Sequence, residues 1–273
     1  MLATEVAGSV VPAEQVSSLA EEHGVTVAEL QALLVPLAAE RYAAPPISGF
    51  RVGAVARGSS GALYLGANLE LPGTALAFTV HAEQSVVANA WLSGEEGLAA
   101  IAVSAAPCGH CRQFLNELAT AATLEVLVAG RAPRLLAELL PESFGPADLG
   151  VQAGLMSPRA NGLRLESSDP LVLAALAAAE ASYAPYSRAF AGLALETAAG
   201  AVHTGRYAEN AAFNPSLTPL ACALALRALG GGGGDAVTRA VFVEAPAQVS
   251  QAGATAEALR AISAVALEVY RTA

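Results

Sequence analysis

Cysteine is scarce in this chain of 273 residues: Cys108, Cys111 and Cys222 are the only three. An odd, sparse set cannot build a disulfide framework, which excludes a small secreted, cross-linked scaffold. Charge is thin as well. Charged residues make up 14%, and 14 Lys and Arg face 24 Asp and Glu, a net charge of −10. An acidic surface repels phosphate backbones, and no basic stretch is interleaved with aromatics, which argues against a nucleic-acid partner. A small uncharged substrate is easier to reconcile with that charge. Long apolar runs are missing too. The most apolar stretch, Leu171 to Ala179, stops at Glu180, well short of the roughly 20 residues that cross a bilayer. No basic segment followed by an apolar core opens the chain, so no secretory signal and no membrane partner are expected. The expectation is a cytoplasmic protein.

Hydrophobic residues, by contrast, make up 54%, ample for a large core and too many for disorder. The length suits one large domain or two ordinary ones.

Two of the three cysteines fall in a pattern. His81-Ala82-Glu83 is followed by Pro107-Cys108-Gly109-His110-Cys111, and H-x-E with P-C-x-x-C is the signature of zinc-dependent nucleobase deaminases. The residue chemistry agrees. Zinc takes nitrogen and sulfur ligands in a tetrahedron, and a catalytic zinc keeps one position open for water. His81, Cys108 and Cys111 supply three ligands, and Glu83 is the carboxylate placed to move protons beside them. A lone C-x-x-C can be a redox pair or a structural half-site, and a lone His-x-Glu means little. The combination, each half at the start of a helix, is specific. A helix N-terminus also favours thiolate over thiol. With three ligands and water, zinc has no need of His110, which is expected to point away.

Around this motif the chain reads as alternating strands and helices. Residues 13–23 and 26–42 read as helices, the second opened by Thr26 with Glu29 at capping-box spacing and open to a kink or break at Pro36. Residues 50–56 and 62–67 read as strands of a hairpin turning at 58–61. Helices are expected over 81–92 and 108–118, and strands over 100–105 and 124–129. The class is α/β with partly parallel pairing. Trp91 belongs to the core or a subunit contact. His23 and His203 are expected to be solvated. Gly230 to Gly234 is a turn, since it lacks the lysine and context of a phosphate loop.

The second half repeats the first at an ungapped offset of 139 positions: Ser48 with Ser187, Gly53 with Gly192, Gly66 with Gly205, Glu70 with Glu209, Pro107 with Pro246. At that offset His81 falls on Leu220, Glu83 on Cys222, Cys108 on Ala247 and Cys111 on Ser250, so the second copy cannot hold zinc. Cys222 is then a buried core thiol. Proline and glycine in Pro141 to Ser168 mark the connection between copies. The expected division is a helical segment at 1–26, a zinc-binding domain at 27–147, a linker at 148–168 and a ligand-free copy at 169–273.

The segments Ala44 to Ala54, Gly66 to Glu70, Thr79 to Ser85, Pro107 to Phe114 and Tyr207 to Pro215 together resemble the cytidine deaminases of the bacterial two-domain, homodimeric type. The resemblance covers nearly the whole chain. It implies duplicated three-layer α/β/α domains with a mixed sheet, one zinc per subunit, and a small nucleoside as substrate. It implies that Glu83 shuttles protons, that Asn68 and Glu70 hydrogen-bond the ribose, that Phe50 packs against base and sugar, and that the Ala82 backbone contacts the base. Phe213 would close over the active site of the other subunit. The alternatives are a deaminase of another small amino-heterocycle and a zinc-binding protein without turnover. Glu83 separates the latter, since a chain that had lost turnover could keep its ligands and lose the shuttle.

Overall fold

The computed structural model describes residues 2–231 and 234–273. Gly232 and Gly233, within the expected glycine turn, lie outside the described residues. The chain forms two compact units, residues 1–70 with 80–157, and residues 71–79 with 158–273.

The first unit opens with α1 (Leu2–Glu5), β1 (Val10–Val11), α2 (Ala13–His23) and α3 (Val27–Tyr42). The capping box that starts α3 is formed: Thr26 Oγ1 accepts the Glu29 N–H, and Glu29 Oε2 accepts the Thr26 N–H at 2.7 Å. Helix α3 runs unbroken through Pro36. There follow β2 (Gly53–Gly58), β3 (Leu63–Ala67), α4 (Ala82–Leu92), β4 (Leu98–Val103), α5 (Gly109–Leu115), β5 (Glu125–Val128), β6 (Arg134–Leu135) and α6 (Leu136–Leu139). The expected strand at 50–56 starts later, at Gly53, and the expected helix at 108–118 ends earlier, at Leu115. The sheet order is β1-β3-β2-β4-β5-β6, with only β4 and β5 parallel. Residues 1–26 are more than a helical preface. Val10 pairs with Tyr64, and Val6, Val11, Val16 and Leu19 share one core with Leu30, Leu34, Leu63 and Leu65.

Two glycines set the three layers. A Cβ on Gly53 would meet the Val35 carbonyl of α3 at 2.4 Å, and one on Gly66 would meet the Val86 nitrogen of α4 at 2.4 Å. Gly53 pairs with Ala67 and Gly66 with Ala54, so the two glycines face opposite sides of the sheet. Only glycine lets both helices approach this closely.

The second unit repeats this plan with α7 (Pro170–Glu180), β7 (Ala191–Thr197), β8 (Val202–Arg206), α8 (Pro219–Leu229), β9 (Val237–Glu244), α9 (Ala252–Arg260) and β10 (Leu267–Arg271). Its sheet, β10-β9-β7-β8, again has one parallel pair, β9 with β10. Gly192 lies against Ala175 of α7, and Gly205 against Ala223 of α8. Segment 158–168 is pinned to this unit: Asn161 donates to the Ala179 and Ser182 carbonyls, and the Gly162 and Leu163 N–H groups donate to Glu180.

The repeat is real, but its spacing is not constant. Leu69 bridges Val80, whereas its counterpart Ala208 bridges Leu217, two residues sooner. The Gly66 contact with Val86 is matched by Gly205 with Ala223. Across the α4 and α8 helices the offset is therefore 137, and His81 corresponds to Thr218, not Leu220. Glu83 corresponds to Leu220, not Cys222. The offset returns to 139 in the next strands, where Ala54–Val103 matches Leu193–Phe242. The longer turn after α8 gives back the two residues. The conclusion about ligands stands, because neither Thr218 nor Leu220 is a zinc ligand.

Two histidines are not solvated as expected. His23 Nε2 lies 2.8 Å from Glu5 Oε2. His203 is half-buried, and burial first, then the charge of Arg227, hold its imidazole below the usual value. Cys222 is fully buried, and desolvation pushes its thiol up to about 11. Trp91 is buried on α4.

Candidate metal centre and substrate cleft

His81, Cys108 and Cys111 converge. His81 is the residue before α4 and Cys108 the residue before α5, with Cys111 one turn into α5. Cys111 Sγ lies 3.2 Å and Cys108 Sγ 3.7 Å from His81 Nδ1, and the two sulfurs are 3.5 Å apart. A tetrahedral zinc with Zn–S of about 2.3 Å and Zn–N of about 2.0 Å needs edges of roughly 3.5–3.8 Å. The sulfur–sulfur and Cys108–His81 distances meet that figure, and the Cys111–His81 distance is slightly shorter. No other group of three such residues converges among the described residues. Arg112 fixes the approach to Cys108, donating from Nε to the Pro107 carbonyl at 2.9 Å and from Nη1 to the Leu139 carbonyl at 2.8 Å.

Glu83 lies in the first turn of α4 and is 4% exposed. It reaches the Cys111 thiol. Cys111 is fully buried, and desolvation first, then the charges of Glu83 and Cys108, hold its thiol well above the usual range in the metal-free protein. A cation supplied to this point relieves all three effects, as expected of a metal-binding thiol.

His110 is absent from the ligand set, as expected, but it does not turn into solvent. Its ring stacks on His81, centroids 5.1 Å apart at 23°, and its Nε2 lies 3.2 Å from Gln84 Nε2. Burial first, then His81, hold its imidazole below the usual value.

The residues assigned to the substrate gather in the same unit. Glu70 Oε2 accepts the Ile47 N–H at 2.7 Å and the Ser48 N–H at 2.9 Å, and Oε1 accepts the Ser48 hydroxyl at 2.5 Å. The Ser48 hydroxyl first, then the Ser48 and Ile47 amides, hold this carboxyl below the usual range. Asn68 accepts the Val52 N–H and donates to the Phe50 carbonyl, each at 2.9 Å. Both side chains therefore shape the loop that presents Phe50, a residue 62% exposed. Ala82, the first residue of α4, is buried. Phe213 belongs to the second unit. It is 65% exposed and has φ of 60°, a left-handed conformation that is costly for an aromatic residue. Its N–H donates to the Asn210 carbonyl, and its carbonyl accepts the Ser216 hydroxyl.

Sequence reasoning overlooked Ser48, Arg112 and Gln84 as supports. Gln84 carried a readable signal: it stands three residues after the helix-capping position, the spacing of a capping-box glutamine.

The site thus has the make-up of a hydrolytic metal centre, three ligands with a buried carboxylate beside them. Two models of the cytidine and deoxycytidylate deaminase zinc-binding region match the chain, one over residues 28–126 and one over residues 136–256. A cytidine deaminase of Shewanella loihica is 48% identical over 94% of this chain and 86% of its own length, and one of Vibrio cholerae is 47% identical over 92% and 85%. A solved cytidine deaminase of Mycobacterium tuberculosis is 33% identical over 43% of this chain and 96% of its own, with a TM-score of 0.39. The chain belongs to the cytidine and deoxycytidylate deaminase family. Of its two copies, only the first carries the ligand set. Among the described residues no helix is long and apolar enough to cross a membrane.

Proposed function

We propose that this chain deaminates cytidine and 2'-deoxycytidine hydrolytically, giving uridine or 2'-deoxyuridine and ammonia, in the cytoplasm and as a step of pyrimidine salvage. The observation that carries the proposal is the buried Glu83 carboxylate against Cys111, which converges with His81 and Cys108.

Zinc, held by His81 Nδ1 and the two sulfurs, supplies when bound a Lewis acid that makes water acidic near neutral pH. Glu83 does the proton work. It takes a proton from the attacking water and gives it to N3 of the pyrimidine as C4 is attacked, then takes the proton of the new C4 hydroxyl and delivers it to the amino group as ammonia leaves. Burial suits this role, because a carboxylate screened from bulk water exchanges protons with its neighbours.

Ribose recognition falls to Glu70 and Asn68. A neutral sugar needs acceptors and amides, not cations. Asn68 keeps a second N–H and a second lone pair after binding the Phe50 and Val52 backbone, and Glu70 keeps lone pairs beyond those its loop uses. Phe50 offers an apolar plate to the base, and the Ala82 backbone contacts it. Phe213, exposed on a strained turn, closes the site of a second copy in a homodimer.

The test follows the ultraviolet absorbance of cytidine, deoxycytidine and their monophosphates. Turnover of the nucleosides is expected, and preferred turnover of a monophosphate overturns the assignment. For the dimer, sedimentation of the wild type should give twice the chain mass, and Phe213→Ala should raise KM. A monomeric wild type with full activity overturns that part.

A further inference from the structure

Gln84 and His110 have no role in the proton transfers above, yet both lie against a metal ligand. Gln84 Oε1 accepts the His81 backbone N–H at 3.2 Å. That contact fixes the orientation of the amide, because only its oxygen can accept. The amide nitrogen, a donor only, then faces His110 Nε2 at 3.2 Å, so this ring nitrogen is the acceptor. The His110 ring in turn lies over the His81 ring. His81 precedes α4, and His110 lies in α5 between Cys108 and Cys111. One amide and one ring thus connect the two chain segments, 27 residues apart in sequence, that bring the ligands together.

We infer that Gln84 and His110 are positioning residues, which hold His81 Nδ1 against the two sulfurs before metal arrives. His110 is no spare ligand, since its Nε2 is engaged by Gln84. The Gln84 contact secures the start of α4, and the stacked ring limits rotation of the imidazole. Groups behind metal ligands act in this way elsewhere, and their loss weakens metal binding by about 10–100-fold. The inference rests on the metal centre proposed above and not on which nucleoside is turned over, so zinc affinity and activity are read separately.

Three variants test it. Gln84→Met keeps the length and loses both hydrogen bonds. His110→Ala loses ring and acceptor. His110→Phe keeps a stacked ring and loses the acceptor. Zinc affinity is measured by competition with a chromophoric chelator, and ligand geometry by the visible absorption of cobalt-loaded protein. Gln84→Met and His110→Ala should each bind zinc about 10–100-fold more weakly, with altered cobalt absorption. His110→Phe should fall between His110→Ala and wild type. Gln84→Met combined with His110→Ala should bind zinc no more weakly than the weaker of the two singles, because both break one bridge. Near-ultraviolet circular dichroism of the metal-free proteins checks folding. If a variant does not fold, His110→Phe, which keeps the ring, decides. Wild-type zinc affinity in the folded variants overturns the inference, as does weaker affinity with unchanged cobalt absorption.

Discussion

Glu70 Oε1 and Ser48 Oγ lie 2.5 Å apart, and the second copy repeats the latch, with Glu209 Oε2 accepting the Tyr186 and Ser187 N–H groups at 2.8 and 3.1 Å. The copy without metal ligands keeps the latch, so it serves the fold by tying the loop after the first helix to the strand end. In the first copy the same residue is only half-buried, where Glu209 is buried, and is free to do a second job. Replacing Ser48 by Ala should leave kcat close to wild type and raise KM for cytidine several-fold, through lost hydrogen bonding to Glu70. Steady-state kinetics check this.

The same latch fixes a pH dependence. Ser48 and the two amides hold the folded Glu70 carboxyl below its usual value. A depressed carboxyl adds stability that is present above its unfolded pKa and lost as pH falls through the folded one. Ser48→Ala should therefore shift the Glu70 titration upward toward an ordinary carboxylate, as seen by carbon-detected NMR.

Metal loading should also rise with pH, although the group concerned is shifted the other way. Burial keeps the Cys111 thiol protonated in the metal-free protein, so binding zinc releases a proton. Affinity should rise between about pH 6 and 8, measured with a chelator whose own protonation is known. An affinity that is flat over that window contradicts the account.

Two backbone positions give stability predictions of opposite sign. Gly66→Ala drives a methyl into the Val86 nitrogen and should cost about 3 kcal/mol, seen as a lower midpoint in urea. Arg188 has φ of 57°, at the position where the first copy has Gly49 with φ of 69°. Arg188→Gly should stabilise the protein by about 0.5–1 kcal/mol, after the loss of a weak contact over Phe190, 5.9 Å away.

The metal centre was legible in the sequence because its ligands lie at fixed short spacings beside helix starts. Gly53 and Gly66, with their counterparts Gly192 and Gly205, were legible as marks of the repeat; the three layers were legible only through the resemblance, because the close helix contacts of these glycines appear only in the fold. What the residues hid was the local slip in the repeat. The connection from Leu69 to α4 is two residues longer than that from Ala208 to α8, and the glycine-rich turn after α8 restores the register. Glycine matches on either side could not show it. The strand bridges do, and they place Cys222 at the position of Ser85. There the Arg206 N–H meets the Cys222 sulfur as the Ala67 N–H meets the Ser85 hydroxyl. The supports Ser48 and Arg112 were hidden for a related reason: each acts through a partner distant in sequence or through the backbone, which composition and periodicity do not encode; Gln84 was signalled by its capping-box spacing and overlooked.

The central claim is that Glu83 moves the protons of a zinc-dependent cytidine deamination. The most direct test compares cytidine turnover in wild type and Glu83→Gln, with zinc content determined in the same samples by atomic absorption. The account predicts one zinc per chain in both proteins and a kcat at least ~100-fold lower in the variant. Wild-type turnover in a fully loaded Glu83→Gln protein would contradict it.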